Sequence, residues 1–187
     1  MIISVIGLGY IGLPTAAILA SKGVNVIGVD TNKNIVDTVN QGKIHIVEPG
    51  LDFLVHNAVK SGQLRAVSNP ERADVFMIAV PTPFKGDNEP NLSYIKSAAK
   101  AISPVLEKGN LVILESTVPV GTTEKIVEWI KVERPDLSFP EFGSNELQYD
   151  IAIAHCPERV LPGYVVSELV ENDRIIGGIT TKCAKRA

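Results

Sequence analysis

Ile2-Ile3-Ser4-Val5-Ile6-Gly7-Leu8-Gly9-Tyr10-Ile11-Gly12-Leu13-Pro14 is an apolar run of strand length that breaks into three glycines and passes at once into a segment of helical period, with Leu13, Ala16, Ala17 and Ala20 on one stripe. The spacing is Gly-x-Gly-x-x-Gly, and each glycine has its own physical reason. Gly7 makes the tight turn, Gly9 lets a pyrophosphate approach the backbone, and Gly12 lets the helix pack closely on the strand. The helix that starts near Tyr10 offers free N–H groups and a partial positive charge to phosphates. A second apolar run, residues 24–29, ends at Asp30, 18 residues beyond Gly12, where a carboxylate accepts hydrogen bonds from the adenosine ribose hydroxyls. A carboxylate there repels a 2′-phosphate. Thr31 and Asn32 carry no charge to offset it and only Lys33 stands near, so NAD is preferred to NADP.

Outward from this turn, apolar runs recur at residues 75–80, 111–114 and 151–154, each reading as a strand buried on both faces. Helical stripes lie between them, including Ile95, Ala98, Ala99, Ile102 and Leu106. Alternation of strand and helix predicts an α/β domain over residues 1–187, a Rossmann-type doubly wound, mostly parallel sheet with helices on both faces. Lys22-Gly23 and Lys108-Gly109 close helices, Asn91 or Ser93 caps the later one, and Pro104 bends or shortens it. Residues 84–90 read as a polar surface loop and residues 134–145, with two prolines, as an irregular connection.

Composition excludes several classes of function. Lys plus Arg number 18 against 21 Asp plus Glu, and a net charge of -3 gives no basic footprint for nucleic acid. No apolar run approaches a membrane span, and the chain enters its first strand without a basic leader, which places it in the cytoplasm with no membrane partner. Cys156 and Cys183 have no metal-ligand spacing, and His45, His56 and His155 fall in no zinc pattern, so no metal is expected.

Further stretches carry a resemblance to one family: Glu48-Pro49-Gly50-Leu51, Val80-Pro81-Thr82-Pro83, Glu115-Ser116-Thr117-Val118-Pro119-Val120-Gly121-Thr122, His155-Cys156-Pro157-Glu158-Arg159-Val160-Leu161-Pro162-Gly163 and Asp173-Arg174-Ile175-Ile176-Gly177-Gly178. With the glycine turn, in this order, they resemble the UDP-glucose/GDP-mannose dehydrogenases over essentially the whole chain. The resemblance implies a two-step, NAD-dependent oxidation of a nucleotide sugar at C6 to the uronate, through a thiohemiacetal and a thioester on a cysteine. That cysteine lies in a glycine-rich motif unlike the surroundings of Cys156 or Cys183. Cys156 is read instead as a small packing residue at a strand end, and Cys183 as part of a polar terminal segment that need not be ordered.

The residues expected around the cofactor are Gly7, Gly9, Tyr10, Ile11, Gly12, Asp30, Pro81, Thr82 and Thr117, with Tyr10 and Ile11 read as packing residues rather than ligands. By resemblance, Thr82 lies along the dinucleotide and Thr117 helps hold a water near the nicotinamide and the reacting carbon. Both could instead satisfy backbone groups at strand ends. Glu158 is a candidate for substrate binding or proton handling, and Arg159 for a bidentate contact to phosphate or sugar, the alternative being an exposed neighbour pair.

The UDP-glucose branch carries a phenylalanine where this chain has Arg159, and a second glutamate where it has Pro162. The form found here resembles the branch acting on UDP-N-acetylhexosamines, with UDP-N-acetyl-D-mannosamine the best-matching sugar and a uronate for surface polysaccharide as product. UDP-glucose and UDP-N-acetylglucosamine are the alternative substrates, and a non-catalytic NAD-binding module is the alternative from another class. A hydroxyacid or 6-phosphogluconate-type dehydrogenase shares the opening turn but has no reason to carry the Pro-Thr-Pro and Cys-Pro-Glu-Arg stretches. Members of the family are longer, with a central helix and a second domain that bears the nucleophile. The expectation is therefore that these 187 residues bind NAD without turning over a nucleotide sugar alone, and that the full-length enzyme is a homodimer or higher oligomer.

Overall fold

β1 (Ile2–Ile6) is central, flanked in parallel by β2 (Asn25–Val29) on one side and β4 (Val75–Ile78) on the other, in a computed structural model that describes residues 1–86, 88–143 and 148–187. β3 (Leu64–Val67) extends the β2 side in parallel, while β7 (Leu111–Leu114) and β8 (Ala152–His155) extend the β4 side. A two-residue β9 (Gly177–Gly178) closes that edge antiparallel to β8. Among the described residues the order is β3-β2-β1-β4-β7-β8-β9, so the chain winds outward from β1 in both directions and the order reverses between β1 and β4. In open α/β sheets the crevice beyond the strands' carboxyl ends at such a reversal is where ligands bind.

Period-two burial divides the strands between two layers of helices. Phe76, Ile78, Val112 and Leu114 face α4 (Ser93–Ile102) and α5 (Thr122–Glu133), where Ile95, Ala98, Ala99, Ile102, Ile126 and Ile130 meet them. Ile3, Val5, Val26 and Leu64 face α1 (Gly12–Ser21), α2 (Lys33–Asn40) and α3 (Leu51–Lys60) on the other side. α6 (Val165–Glu171) packs beside α1, and α7 (Thr181–Arg186) covers β8. The sequence reads α1 as a one-sided stripe, yet every residue from Gly12 to Ala17, and Ala20, is buried. The helix is covered by the sheet, α3 and α6, and its small alanines permit that close approach. No helix among the described residues is long and apolar enough to cross a membrane.

Several local expectations change. β3 is absent from the sequence reading because its Leu-Arg-Ala-Val pattern is short and interrupted by the exposed Arg65, as suits an edge strand. The polar loop at 84–90 is instead a small antiparallel hairpin, β5 (Phe84–Lys85) with β6 (Glu89–Pro90), turned through Gly86 and Asn88 at positive φ; Asp87 lies outside the described residues. Pro104 shortens α4 as expected, leaving a 3₁₀ turn over Ser103–Val105, but neither Asn91 nor Ser93 is the N-cap of α4: Leu92 holds that position without a side-chain cap, Ser93 is the first helical residue, and Asn91 Oδ1 accepts the Ser93 N–H at 3.0 Å from just outside. In the connection at 134–145, the stretch after α5 lacks regular structure through residue 143, and Ser144 and Asn145 lie outside the described residues. Cys183 does not belong to a loose end: it is fully buried in α7 against Leu111, Ile113 and Ala152, 3.2 Å from the Tyr149 hydroxyl.

Candidate functional site

The glycine turn is built from contacts that leave no room for a side chain at two of its three glycines. Gly7 holds φ at +96° and donates its N–H to the Val29 carbonyl at 2.8 Å, and a Cβ there would lie 2.8 Å from the Ala79 carbonyl oxygen. At Gly12 a Cβ would fall 1.8 Å from the Gly7 carbonyl oxygen and 3.3 Å from the Ala79 methyl. Gly12 is thus crowded first by the turn itself and only then by the end of β4. Gly9 differs, since a Cβ there would meet nothing within 4 Å. The turn is therefore a closed backbone with one open face, the shape a pyrophosphate needs for close approach. α1 starts behind it with Ile11 at the N-cap and no side-chain cap; the Leu13 N–H donates to the Gly9 carbonyl at 3.1 Å and Pro14 has no N–H, so the helix start offers a phosphate chiefly its positive dipole end.

Asp30, at the end of β2, is tied to the same turn. Its Oδ2 accepts the Leu8 N–H at 3.0 Å and its Oδ1 the Asn32 N–H at 2.8 Å, so the carboxylate is fixed beside the β1–β2 crevice. On the other side of β1, the loops after β4 and β7 are stitched together. Ser116 Oγ donates to the Val80 carbonyl at 2.6 Å, Thr82 Oγ1 donates to the Thr117 carbonyl at 2.9 Å, and His155 Nε2 lies 3.2 Å from the Ser116 carbonyl. The Thr82 hydroxyl thereby does the backbone work that the sequence left open as its alternative role. Thr117 is exposed at the crevice.

These segments enclose a crevice of about 500 Å³. Of the residues singled out from sequence, Gly9, Tyr10, Ile11, Pro81, Thr82, Thr117 and Glu158 line it, so Tyr10 and Ile11 form wall rather than interior packing, and Tyr10 is 55% exposed. Gly7 and Gly12 form the turn beneath, and Asp30 stands at its β2 side. Arg159 is not among the lining residues. Its backbone N–H donates to Glu158 Oε1 at 2.8 Å, and its exposed guanidinium donates to the Asp173 carbonyl at 3.2 Å.

Three residues lacked an assigned role in the sequence. Glu115, at the end of β7, is 1% exposed and lines the crevice; its Oε1 accepts from Thr15 Oγ1 at 3.3 Å and lies 3.5 Å from Arg174 Nη1. Burial pushes its carboxyl up to about 7, against the opposing pull of Arg174 and with a further push from Glu158. Arg174 also makes a closer ion pair with Glu158 Oε2 and comes within 3.9 Å of Cys156 Sγ. The ion partner of Glu158 is therefore Arg174, not its neighbour Arg159. Cys156 is buried as expected, and burial raises its thiol.

Glu48 is the third. It is 4% exposed, and it accepts the Gly163 N–H at 2.8 Å and the Val165 N–H at 2.7 Å, clamping the loop that carries Glu158 to the segment before α3.

Matches to known proteins agree with this geometry. The model of the UDP-glucose/GDP-mannose dehydrogenase family, NAD binding domain, matches residues 1–187. The chain is 69% identical over 186 residues to a UDP-N-acetyl-D-mannosamine dehydrogenase of Campylobacter jejuni, covering 99% of this chain and 45% of that protein. It is 63% identical to an NDP-N-acetyl-D-galactosaminuronic acid dehydrogenase of Ralstonia nicotianae, covering 99% of this chain and 43% of the relative. A solved UDP-N-acetyl-mannosamine dehydrogenase from S. aureus superposes with a TM-score of 0.90 at 41% identity, over 100% of this chain and 43% of that one. The chain thus spans less than half the length of the relatives it matches. A reversed strand order, a closed glycine turn with one open face and a family match from end to end converge: the chain belongs to the UDP-glucose/GDP-mannose dehydrogenase family and constitutes its NAD-binding domain.

Proposed function

We propose that the chain supplies the cofactor half of an NAD-dependent nucleotide-sugar 6-dehydrogenase whose substrate is a UDP-N-acetylhexosamine, UDP-N-acetyl-D-mannosamine first, oxidised at C6 to the uronate. The observation that carries this reading is the single crevice in which the open face of Gly9 meets Thr82, Thr117 and Glu158. Bound NAD supplies the hydride acceptor. Asp30 holds the adenosine ribose, the turn at Gly7, Gly9 and Gly12 admits the pyrophosphate, and Tyr10, Ile11, Pro81 and Thr82 wall the path to the second nucleotide. Thr117, exposed where that path ends, holds a water against the reacting carbon, and Glu158 handles a sugar hydroxyl or its proton. Arg159 reaches substrate only if its contact with Asp173 is given up.

The identity to the mannosamine enzyme supports the sugar assignment, and the galactosaminuronate relative at 63% supports a second reading, a galacto-configured N-acetylhexosamine. The uronate product suits surface polysaccharide, and a cytoplasmic homodimer or higher oligomer follows from the same resemblance. Calorimetric titration should show NAD bound in preference to NADP. A panel of UDP-sugars, run on the longest natural polypeptide carrying this sequence and followed by NADH absorbance, should give the highest kcat/KM with UDP-N-acetyl-D-mannosamine. A preference for UDP-glucose would overturn the sugar assignment.

A further inference from the structure

Two buried carboxylates meet one cation at the floor of the crevice. Glu115 and the Glu158 side chain, 1% and 5% exposed, both face Arg174 Nη1, and Glu158 has the closer contact. One guanidinium balances one carboxylate. A second ionised carboxylate in the same buried space would stand uncompensated, which is far more costly than carrying a proton. Glu115 Oε2 and Glu158 Oε2 are both buried without a hydrogen-bond partner among the described residues, but Glu158 Oε2 is the atom ion-paired with Arg174, whereas on Glu115 the contacts to Thr15 and Arg174 fall on Oε1 and Oε2 is the oxygen left over. Among the described residues, no other element packed around Glu115 brings a compensating charge. Thr15 on α1 and Ile78 and Ala79 at the end of β4 do not titrate, and β8 contributes the His155 ring, engaged with the Ser116 carbonyl, and the Cys156 thiol.

A dinucleotide with its ribose at Asp30 and its pyrophosphate over Gly9 brings its second nucleotide toward Glu115, Ser116 and Thr117. In the oxidised cofactor that nucleotide carries a cationic ring, and in the reduced cofactor a neutral one. We propose that Glu115 holds a proton in the unliganded chain and that binding of the oxidised cofactor displaces it to solvent, so that the site distinguishes NAD⁺ from NADH by charge. This rests on the cofactor placement above. An arriving cation supplies the second positive charge that Arg174 alone does not, and the ionised Glu115 then favours NAD⁺ over NADH. The proton leaves Glu115 Oε2 for the buffer, and no covalent bond to the cofactor is made.

The test is calorimetric titration of the chain with NAD⁺ and with NADH near pH 7, in buffers of different ionisation enthalpy. NAD⁺ binding should release a fraction of a proton and tighten by as much as about tenfold between about pH 6 and about pH 8. NADH binding should do neither, and Glu115→Gln should abolish both effects. Glu158→Gln leaves Arg174 to Glu115 alone and should also suppress proton release, which keeps a second variant available if the first does not fold. Equal proton release in Glu115→Gln, or none in the unsubstituted chain, would overturn the proposal. If NAD does not bind, the cofactor placement fails by itself, and the infrared band of a protonated carboxylic acid still decides the proton's location. Present in the unliganded chain and absent in Glu115→Gln, the band supports the assignment; persistence in the variant refutes it.

Discussion

Replacing Gly9 and Gly12 separately by alanine should divide the ligand's demand on the turn from the fold's. At Gly9 the new methyl meets nothing within 4 Å, and the residue is outside the positive-φ region, so the folded chain accepts it without strain. Loss of glycine's freedom in the unfolded state then stabilises the variant by about 0.4–1 kcal/mol, a rise in Tm of roughly 1–4 °C for a chain of this size. At Gly12 the methyl falls 1.8 Å from the Gly7 carbonyl oxygen, and relieving the overlap means moving a turn anchored by the Gly7 N–H on Val29. That change should cost about 3 kcal/mol or more and lower Tm by roughly 6 °C or more. Binding should invert the order of harm relative to stability. The Gly9→Ala methyl stands where the pyrophosphate must approach, so NAD affinity should fall at least about tenfold, or about 1.4 kcal/mol, in a protein that melts no lower than the parent. Thermal melts by circular dichroism and calorimetric NAD titration on the same samples read both quantities. A Gly9→Ala chain that binds NAD with unchanged Kd would refute the reasoning, as would a Gly12→Ala chain that melts with the parent.

Glu48→Gln keeps one acceptor for the Gly163 and Val165 N–H groups and turns a donor toward the other; it should cost about 1–3 kcal/mol and speed hydrogen exchange at those two amides, and unchanged protection there would show that Glu48 does not clamp the loop. Glu115 has a folded pKa of about 7 against an ordinary 4.5, so its contribution to stability is full below the lower value and is lost as pH rises through the higher one. The loss amounts to at most about 3 kcal/mol. Urea melts across that range should show the decline in the parent and a flatter profile in Glu115→Gln, and parallel profiles would count against it. Asp30→Asn cannot accept from both Leu8 and Asn32 as the carboxylate does; NAD affinity should fall about tenfold while NADP affinity holds or rises, and an unchanged NAD:NADP ratio in paired titrations would detach Asp30 from the ribose.

The parts of this molecule that were legible in the sequence are those whose physics is local. Parallel strands buried on both faces must be apolar nearly throughout, so β1, β2, β4, β7 and β8 declare themselves to within a residue or two, and the glycine turn needs only its own backbone to be recognised. β3 sits at an edge and can afford Arg65, and β9 is two glycines with no side chains to show a period. The polar partners that shape the site were not legible because their pairing belongs to the topology. Thr15 and Glu115 are 100 residues apart, and Glu48 and Val165 are 117 apart. Glu115 did leave one signal. Four consecutive apolar residues of a central strand, Leu111–Leu114, run directly into a carboxylate before the chain reaches a turn or a glycine. In a sheet of this winding that position is the floor of the ligand crevice, where an acid cannot snorkel to solvent and must find a cation or keep a proton. The Arg174 contact and the unpartnered Oε2 indicate that Glu115 does some of each, which makes the residue after β7, and not the threonine two places on, the more informative one to substitute first.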